Sequence, residues 1–210
     1  MTPLQRIPAH AVRRDLLPAD EQAALLAWVL AHEDLMQPSR IGTGETAPDI
    51  RNSLSVRKDM HGPWKAPMME RIGALVPGLI AELGMQPLPV HKIEADMVAY
   101  RDGGFVRPHI DTAAYVRQPG DRMLTMVYYF HREPKGFGGG ALRIHPPSVP
   151  PADAPQHLDL VPENNSLIAF AAWVPHEVLP VSVPSGRYED CRFAINFWAR
   201  RAPLGGEGVE

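Results

Sequence analysis

The spacing of apolar residues along the chain changes near residue 90. Before that point, apolar residues recur at helical spacing in two segments, 18-PADEQAALLAWVLAHEDL-35 and 64-WKAPMMERIGALVPGLIAELG-84. We expect Asp20 to cap the first helix, and the second to end at its last glycine and to be kinked or split at Pro77. Residues 38–59 are expected to form a loop followed by a short strand.

Beyond residue 90 the pattern becomes that of short strands bounded by turn residues. Eight such strands without intervening helices predict a sandwich or barrel, and the two earlier helices then need a sheet to cover. The expected fold is therefore α+β and mainly β, with the N-terminal helices packed on the outer face of one sheet. The predicted strands comprise residues 92–101, 105–110, 122–131, 140–145, 157–161, 166–172, 176–183 and 192–199.

Alternation in the last predicted strand separates an apolar face from a polar one. In 192-RFAINFWA-199, Phe193, Ile195 and Phe197 share the face that should pack, whereas Arg192 and Trp198 share the other. A buried arginine is costly unless a carboxylate meets it, and its planar fork suits bidentate binding of that group. An exposed arginine at a strand end is the competing interpretation.

Composition limits the possible partners. The 210 residues fit one domain, 45% of them are hydrophobic and 21% charged, and the formal charge is −3. No Lys/Arg-rich run indicates a nucleic-acid partner, and no apolar run reaches the roughly 18 to 20 residues of a membrane span. The N-terminus lacks the apolar core of a signal peptide, and the single cysteine, Cys191, excludes an internal disulfide. We therefore expect a cytoplasmic protein without nucleic-acid or membrane partners.

The same observations suggest how the domain is divided. Residues 1–90 are expected to form a helical support region, residues 91–200 a β-rich core, and residues 201–210 a flexible tail.

Two histidines and an aspartate form the candidate metal site. His109 and Asp111 are two residues apart, so on one strand their side chains would project side by side. His176 opens the seventh predicted strand, which in an eight-stranded jelly roll lies near the second. A triad of two histidines and one carboxylate with open positions is typical of non-haem Fe(II) oxygenases, whereas structural zinc prefers four ligands. An isolated H-x-D pair, by contrast, is more often an ordinary surface feature.

Taken together, the motifs resemble a known family. H-x-D, the distant H-E-V and R-F-A-I-N-F-W are similar to the 2-oxoglutarate and Fe(II)-dependent oxygenase superfamily, particularly its prolyl-4-hydroxylase-like branch, which includes the oxygen-sensing prolyl hydroxylases. This resemblance implies a double-stranded β-helix, a cupin-like jelly roll. It extends through 98-VAY-100, 122-RMLTMVYYF-130, 139-GGALRI-144, 176-HEVLP-180 and 192-RFAINFW-198.

The resemblance also implies roles for individual residues. His109, Asp111 and His176 correspond to the iron ligands, Arg192 to the anchor of the distal 2-oxoglutarate carboxylate, and Tyr129 to its hydrogen-bonding partner. Arg187 is an alternative anchor if the last strand takes a different register. Other residues expected to line the cosubstrate pocket are Tyr100, Val127, Leu142, Val178 and Trp198. Arg122 falls where some members contact a peptide substrate, and Arg51 is a polar candidate for lining the site.

The implied cofactor is Fe(II), with 2-oxoglutarate and O2 as cosubstrates and ascorbate as a supporting reductant. Decarboxylation of 2-oxoglutarate to succinate would accompany hydroxylation of an unactivated C–H bond. The expected substrate is a prolyl or other side chain of a peptide or protein, bound across residues 112–121 and 51–62. Hydroxylation of a free amino acid or small metabolite is an alternative, and a non-enzymatic cupin-like metal-binding domain is another. Asp111 disfavours halogenation, because halogenating members leave the carboxylate position to chloride.

Overall fold

The computed structural model describes residues 7–42, 44–56, 62–87, 89–112, 121–146 and 157–201. Two antiparallel sheets dominate this part of the chain, and short 3-10 helices occur at Glu33–Leu35 and Tyr188–Asp190. The helices and strands are β1 (His10–Arg14), α1 (Ala19–Ala31), β2 (Met36–Pro38), β3 (Arg51–Asn52), β4 (Leu54–Val56), α2 (Lys65–Glu82), β5 (Val90–Tyr100), β6 (Phe105–His109), β7 (Arg122–Phe130), β8 (Gly138–Gly139), β9 (Leu142–Ile144), β10 (Leu158–Leu160), β11 (Ser166–Ala171), β12 (His176–Val178), β13 (Val181–Ser182) and β14 (Arg192–Arg201).

The larger sheet has seven strands in the order β1-β11-β7-β14-β5-β4-β2, and the smaller has five in the order β10-β9-β12-β6-β3. β8 and β13 form a separate two-stranded ribbon. The strands predicted from residue 92 onward are present, although the segment 176–183 divides into two short strands. β1 and β2 were not predicted; they are short strands that pair with β11 and β4 near the two edges of the large sheet.

The apolar face of β14 packs against the helices, as the alternation predicted. Phe193, Ile195 and Phe197 are at most 1% exposed and belong to the cluster that also contains the buried stripe of α2. That stripe consists of Met68, Ile72, Val76, Leu79 and Ile80. A second cluster, which includes Ala194, Val127 and Tyr129, fills the space between the two sheets. The helices therefore cover the outer face of the large sheet, and its inner face is left for the site.

The helix ends differ partly from expectation. The prediction that Asp20 caps α1 is wrong, because Pro18 occupies the N-cap and Asp20 lies in the first turn, where a carboxylate favours the helix dipole. α2 is continuous through Pro77 and is not split there, since its buried apolar stripe continues on both sides of the proline. Gly84, at φ +65°, ends this helix as expected. The amides of Gly84 and Met85 bond back to the carbonyls of Ala81 and Ile80, which is a Schellman motif.

Residues 202–210 of the predicted tail lie outside the described residues, and Arg201 ends β14 instead of beginning the tail. No helix within the described ranges combines the length and apolar character that crossing a bilayer requires.

Candidate metal centre and adjoining cleft

The structure brings His109, Asp111 and His176 together. β6 and β12 are antiparallel neighbours in which His109 and His176 are paired directly, and their ring centroids lie 4.3 Å apart. The Asp111 carboxylate oxygens lie 3.7 Å from Nε2 of His109 and 3.5 Å from Nε2 of His176. One ligand atom from each residue lies within 4.8 Å of the others. This separation allows all three side chains to bind a single ion.

Contrary to the prediction, Asp111 does not lie on the same strand as His109. β6 ends at His109, so Asp111 lies just beyond the strand, and the strand alternation does not account for its direction. Its amide instead donates to the carbonyl of Ala172, at 2.9 Å, which attaches this residue to the end of β11. The Thr125 hydroxyl donates to Oδ2 of Asp111 at 2.7 Å. A neighbouring strand therefore orients the carboxylate, and Thr125 was not among the predicted site residues.

Backbone carbonyls orient the two imidazole rings. Nδ1 of His109 lies 2.9 Å from the carbonyl oxygen of Arg107. Nδ1 of His176 lies 2.8 Å from the carbonyl oxygen of Val174. Because a carbonyl only accepts, each Nδ1 carries the proton and each Nε2 presents a lone pair toward the shared centre.

The protonation states suit metal binding. Burial lowers the pKa of His176 to about 4, so its imidazole is neutral near pH 7, the form that binds metals. Burial opposes ionisation of Asp111, but His176, His109 and the Thr125 hydroxyl outweigh it and place the pKa of this carboxyl below its usual range. Two histidine imidazoles and one carboxylate are the donor set of a non-haem Fe(II) site.

Arg192 lies on the wall of the same cleft and is only 1% exposed. Its Nε donates to the carbonyl of Gly140 at 2.8 Å, and its guanidinium carbon lies 4.7 Å and 4.9 Å from the ring centres of Tyr100 and Tyr129. Within the described part of the chain, no carboxylate forms an ion pair with Arg192. The Tyr129 hydroxyl beside it is buried, with no hydrogen-bond partner among those residues. An unpaired guanidinium and an unsatisfied hydroxyl in one cavity fit the carboxylate of a bound molecule.

Gly140, which was not among the predicted site residues, makes this arrangement of Arg192 possible. Its φ of +66° favours glycine, and a Cβ added there would lie 2.7 Å from Cδ of Arg192 and 2.9 Å from Cγ2 of Val181. The Gly-Gly-Gly run at 138–140 was the available signal for a close backbone approach.

Arg187, the alternative anchor, lies elsewhere. Its side chain is 57% exposed, and it pairs with Glu189 and Asp190, at 3.2 Å in each case. It is not among the residues that line the cleft. The geometry therefore places Arg192, and not Arg187, in the cavity beside the metal centre.

The remaining predicted residues all line one cleft of about 1470 Å³ that begins at Arg192, passes the metal centre and opens outward. Arg122 contacts Glu94 at 3.0 Å, lies 3.9 Å from Asp111 and stacks over the ring of Trp198 at 3.7 Å. Arg51 donates to the Ser53 hydroxyl at 3.0 Å. The other cleft residues predicted as pocket lining are Tyr100, Val127, Leu142 and Val178.

Part of the predicted substrate-binding surface lies outside the described residues. Of the two segments expected to contact the substrate, residues 113–120 and 57–61 fall in this category.

Comparisons with known proteins agree with this geometry. Residues 95–200 match the family model of the 2OG-Fe(II) oxygenase superfamily. The chain is 35% identical over 193 residues to an uncharacterized PKHD-type hydroxylase from Synechocystis; the match covers 90% of this chain and 62% of that protein, so the chain spans less than two thirds of the relative's length.

Solved structures give the same result for the fold. A Pseudomonas putida prolyl-4-hydroxylase superposes with a TM-score of 0.65 at 25% identity, over 91% of this chain and 92% of that one. A Trichoplax adhaerens prolyl hydroxylase, solved with a hypoxia inducible factor peptide, gives a TM-score of 0.65 at 16% identity, over 90% of this chain and 82% of that one. The jelly-roll prediction is confirmed.

Proposed function

This chain belongs to the 2OG-Fe(II) oxygenase superfamily, and from that premise we propose that it is a hydroxylase that acts on a prolyl or other side chain of a peptide or protein. The observation that carries the proposal is the presence, in one cleft, of a His-Asp-His triad and a buried arginine without a carboxylate partner among the described residues.

The residues present fit the implied cofactor and cosubstrate. His109, Asp111 and His176 would hold Fe(II), while Arg192 and Tyr129 would bind the distal carboxylate of 2-oxoglutarate. When bound, the iron supplies the means to couple oxidation of 2-oxoglutarate by O2, to succinate and CO2, with hydroxylation of a C–H bond.

The protein's own contribution is to bind and orient the cosubstrate and to exclude water from the cleft. Arg192 and Tyr129 hold one end of the cosubstrate, so that its other end points along the cleft toward the triad. Leu142 and Val178, which are 2% and 8% exposed, form an apolar wall that keeps water from this part of the cleft. Thr125 donates to Asp111 and keeps the carboxylate directed at the shared centre.

The size and openness of the cleft support a polypeptide substrate. Its volume of about 1470 Å³ exceeds the roughly 300–1,000 Å³ typical of small-molecule sites. The 25% identical Pseudomonas protein is a prolyl-4-hydroxylase, and the relative from Synechocystis is described as a PKHD-type hydroxylase. These similarities support a prolyl side chain as the preferred target.

The proposal is tested by succinate release from iron-loaded protein with 2-oxoglutarate, O2 and ascorbate. Proline-containing peptides, protein extracts, free amino acids and small metabolites are supplied as separate pools, and mass spectrometry locates any added oxygen. We expect substrate-dependent succinate and a 16 Da gain on peptides, and neither from His109→Ala, which should lose its iron. Turnover of free amino acids or metabolites alone would show a small-molecule hydroxylase. Iron binding without 2-oxoglutarate binding or turnover would indicate a metal-binding domain.

A further inference from the structure

The wall of the cleft carries an excess of positive charge. Among the described residues that line it, the cations outnumber the carboxylates by two to one. The cations are Arg40, Arg51, Lys65, Lys92, Arg107, Arg122, Arg192 and Arg200, and the carboxylates are Glu94, Asp96, Asp111 and Asp121.

The four carboxylates are already engaged. Glu94 contacts Arg122 at 3.0 Å and Arg200 at 3.1 Å. Asp96 lies 3.5 Å from Arg51, and Asp121 lies 3.0 Å from Arg201. The fourth, Asp111, belongs to the metal centre. None of these groups offsets the remaining positive charge.

Four of the cleft cations have no carboxylate partner in the part of the chain that the structure describes: Arg40, Lys65, Lys92 and Arg107. Lys65 is the first residue of α2, where the helix dipole already contributes positive charge. Burial, and then the nearby charge of Lys92, lower the pKa of Lys65. Like charges placed together destabilise the folded chain, so an anion bound between them would relieve the repulsion.

This positive charge lies away from the cosubstrate anchor. Alternate residues of β14 face the cleft, with Arg192 at one end and Arg200 at the other, about 26 Å apart at the usual rise per residue. Arg200 is paired in register with Lys92 of β5 and with Arg122 of β7. Trp198, one alternation earlier, is paired with Thr125, which contacts the metal-site carboxylate. The cationic end therefore lies just beyond the triad, on the side opposite Arg192.

We propose that this outer end of the cleft, around Lys65, Lys92 and Arg200, selects polypeptide segments that carry carboxylates beside the residue to be hydroxylated. The inference rests on the proposed function and specifies the substrate class for the same site. A polypeptide fits better than a small dianion, because the cations are spread along an open cleft and do not converge on one point.

Three fluorescent peptides of equal length test this charge preference. Each has one central proline, flanked by Asp and Glu, by Asn and Gln, or by Lys and Arg. Binding is measured by anisotropy without O2, with Fe(II) and 2-oxoglutarate present, so that no turnover occurs. At about 50 mM salt we expect the acidic peptide to bind about 10-fold more tightly than the neutral one, and the difference to shrink at 500 mM salt because of screening.

A matched pair of double variants locates the preference. Lys65→Gln with Lys92→Gln should reduce the acidic-to-neutral ratio to within about 3-fold, since two cations of the outer cleft are removed. Arg13→Gln with Arg14→Gln makes the same change in net charge on β1, outside the cleft, and should leave the ratio unchanged.

Equal binding of the three peptides, or an unchanged ratio in the lysine double variant, would overturn the inference. Hydroxylation of the same peptides is then measured separately in air by mass spectrometry. Selective binding of the acidic peptide without a 16 Da gain on any peptide would support the charge preference while contradicting the proposed function.

Discussion

At the scale of single residues, folding alone does not explain the position of Arg192. An arginine that is 1% exposed needs a partner for its charge, and here it has a carbonyl oxygen and two aromatic rings but no described carboxylate. Cation–π contacts compensate only in part, because each contributes ~0.5 to 2 kcal/mol, whereas burying a charge costs several kcal/mol. A bound carboxylate would complete the compensation.

Arg192→Lys should weaken 2-oxoglutarate binding by about 10-fold or more, because lysine keeps the charge but loses the planar fork. Titration calorimetry with 2-oxoglutarate measures this loss, and metal binding to the triad should persist. Arg187→Lys, on an exposed arginine outside the cleft, is the control and should change little. The opposite result for the two variants would transfer the anchor to Arg187.

Thr125→Val should weaken Fe(II) binding about 10-fold, within the range found when hydrogen-bond partners of metal ligands are removed. Valine has nearly the same shape but cannot donate to Oδ2 of Asp111. Metal affinity is measured by competition with a chelator, and the thermal midpoint of the metal-free protein shows whether the fold is retained. Unchanged affinity would mean that the bond between Asp111 and Ala172 orients the carboxylate by itself.

At the scale of elements, the segment between β13 and β14 is held by one buried carboxylate. Asp190 ends the short helix Tyr188–Asp190 and accepts from the Ser185 hydroxyl at 2.6 Å, from Arg132 and from Arg187. These contacts, led by the Ser185 hydrogen bond, lower the pKa of Asp190. Asp190 thereby connects the β13–β14 segment to the loop after β7, and positions the start of β14.

Asp190→Asn should be destabilising in a pH-dependent way. Because the pKa is lowered on folding, the carboxylate's contribution is fully present above its unfolded value of about 3.9 and is lost as the pH falls through the folded value. The difference in unfolding free energy between parent and variant should be constant from about pH 5 to 7 and should shrink below about pH 4. Urea unfolding across this range measures it. Glu189→Gln, on the half-buried neighbour, should show a small difference at every pH. A difference for Asp190→Asn that does not vary with pH would contradict the assignment.

At the scale of the whole molecule, the helices pack on one face of the large sheet and the candidate site lies on the other. One apolar cluster lies between the helices and the outer face of the large sheet, and another lies between the two sheets behind the cleft. β14 contributes alternate residues to both, so the same strand that packs on α2 also presents Arg192 and Trp198 to the cleft.

Ile72→Ala should lower the unfolding free energy by about 2 to 5 kcal/mol, because the side chain is fully buried in α2 and its removal leaves a cavity. For a chain of this size that corresponds to a fall in the thermal midpoint of about 4 to 20 °C. Glu70→Ala, on the exposed side of the same helix, should shift it little. The metal affinity of Ile72→Ala, measured below the thermal unfolding transition, should match that of the parent. A large loss of affinity would show that the apolar cluster between the helices and the large sheet also controls the site.

The sequence by itself determined the features that depend on local spacing. The apolar stripe of α2 and the alternation of β14 follow from which residues recur at which interval, because helices and strands have fixed periods. The end of α2 at Gly84 follows from the residue type, because glycine readily adopts the positive φ that ends a helix. The residue types that could bind a metal were also recognisable locally, since the motifs H-x-D and H-E-V are visible in the sequence. Asp20 and the predicted split at Pro77 show where local rules failed, because Pro18 took the cap position and α2 is continuous through the proline.

Only the tertiary structure decided how these pieces meet. The orientation of Asp111 depends on Ala172 and Thr125, and that of Arg192 on the carbonyl of Gly140, contacts between residues 14 to 61 positions apart in the chain. The position of Arg187 outside the cleft and the unpaired charge near Lys65 likewise depend on how distant segments pack together. Periodicity specifies the face on which a side chain lies, whereas its partners depend on strand register and sheet order, which long-range packing determines.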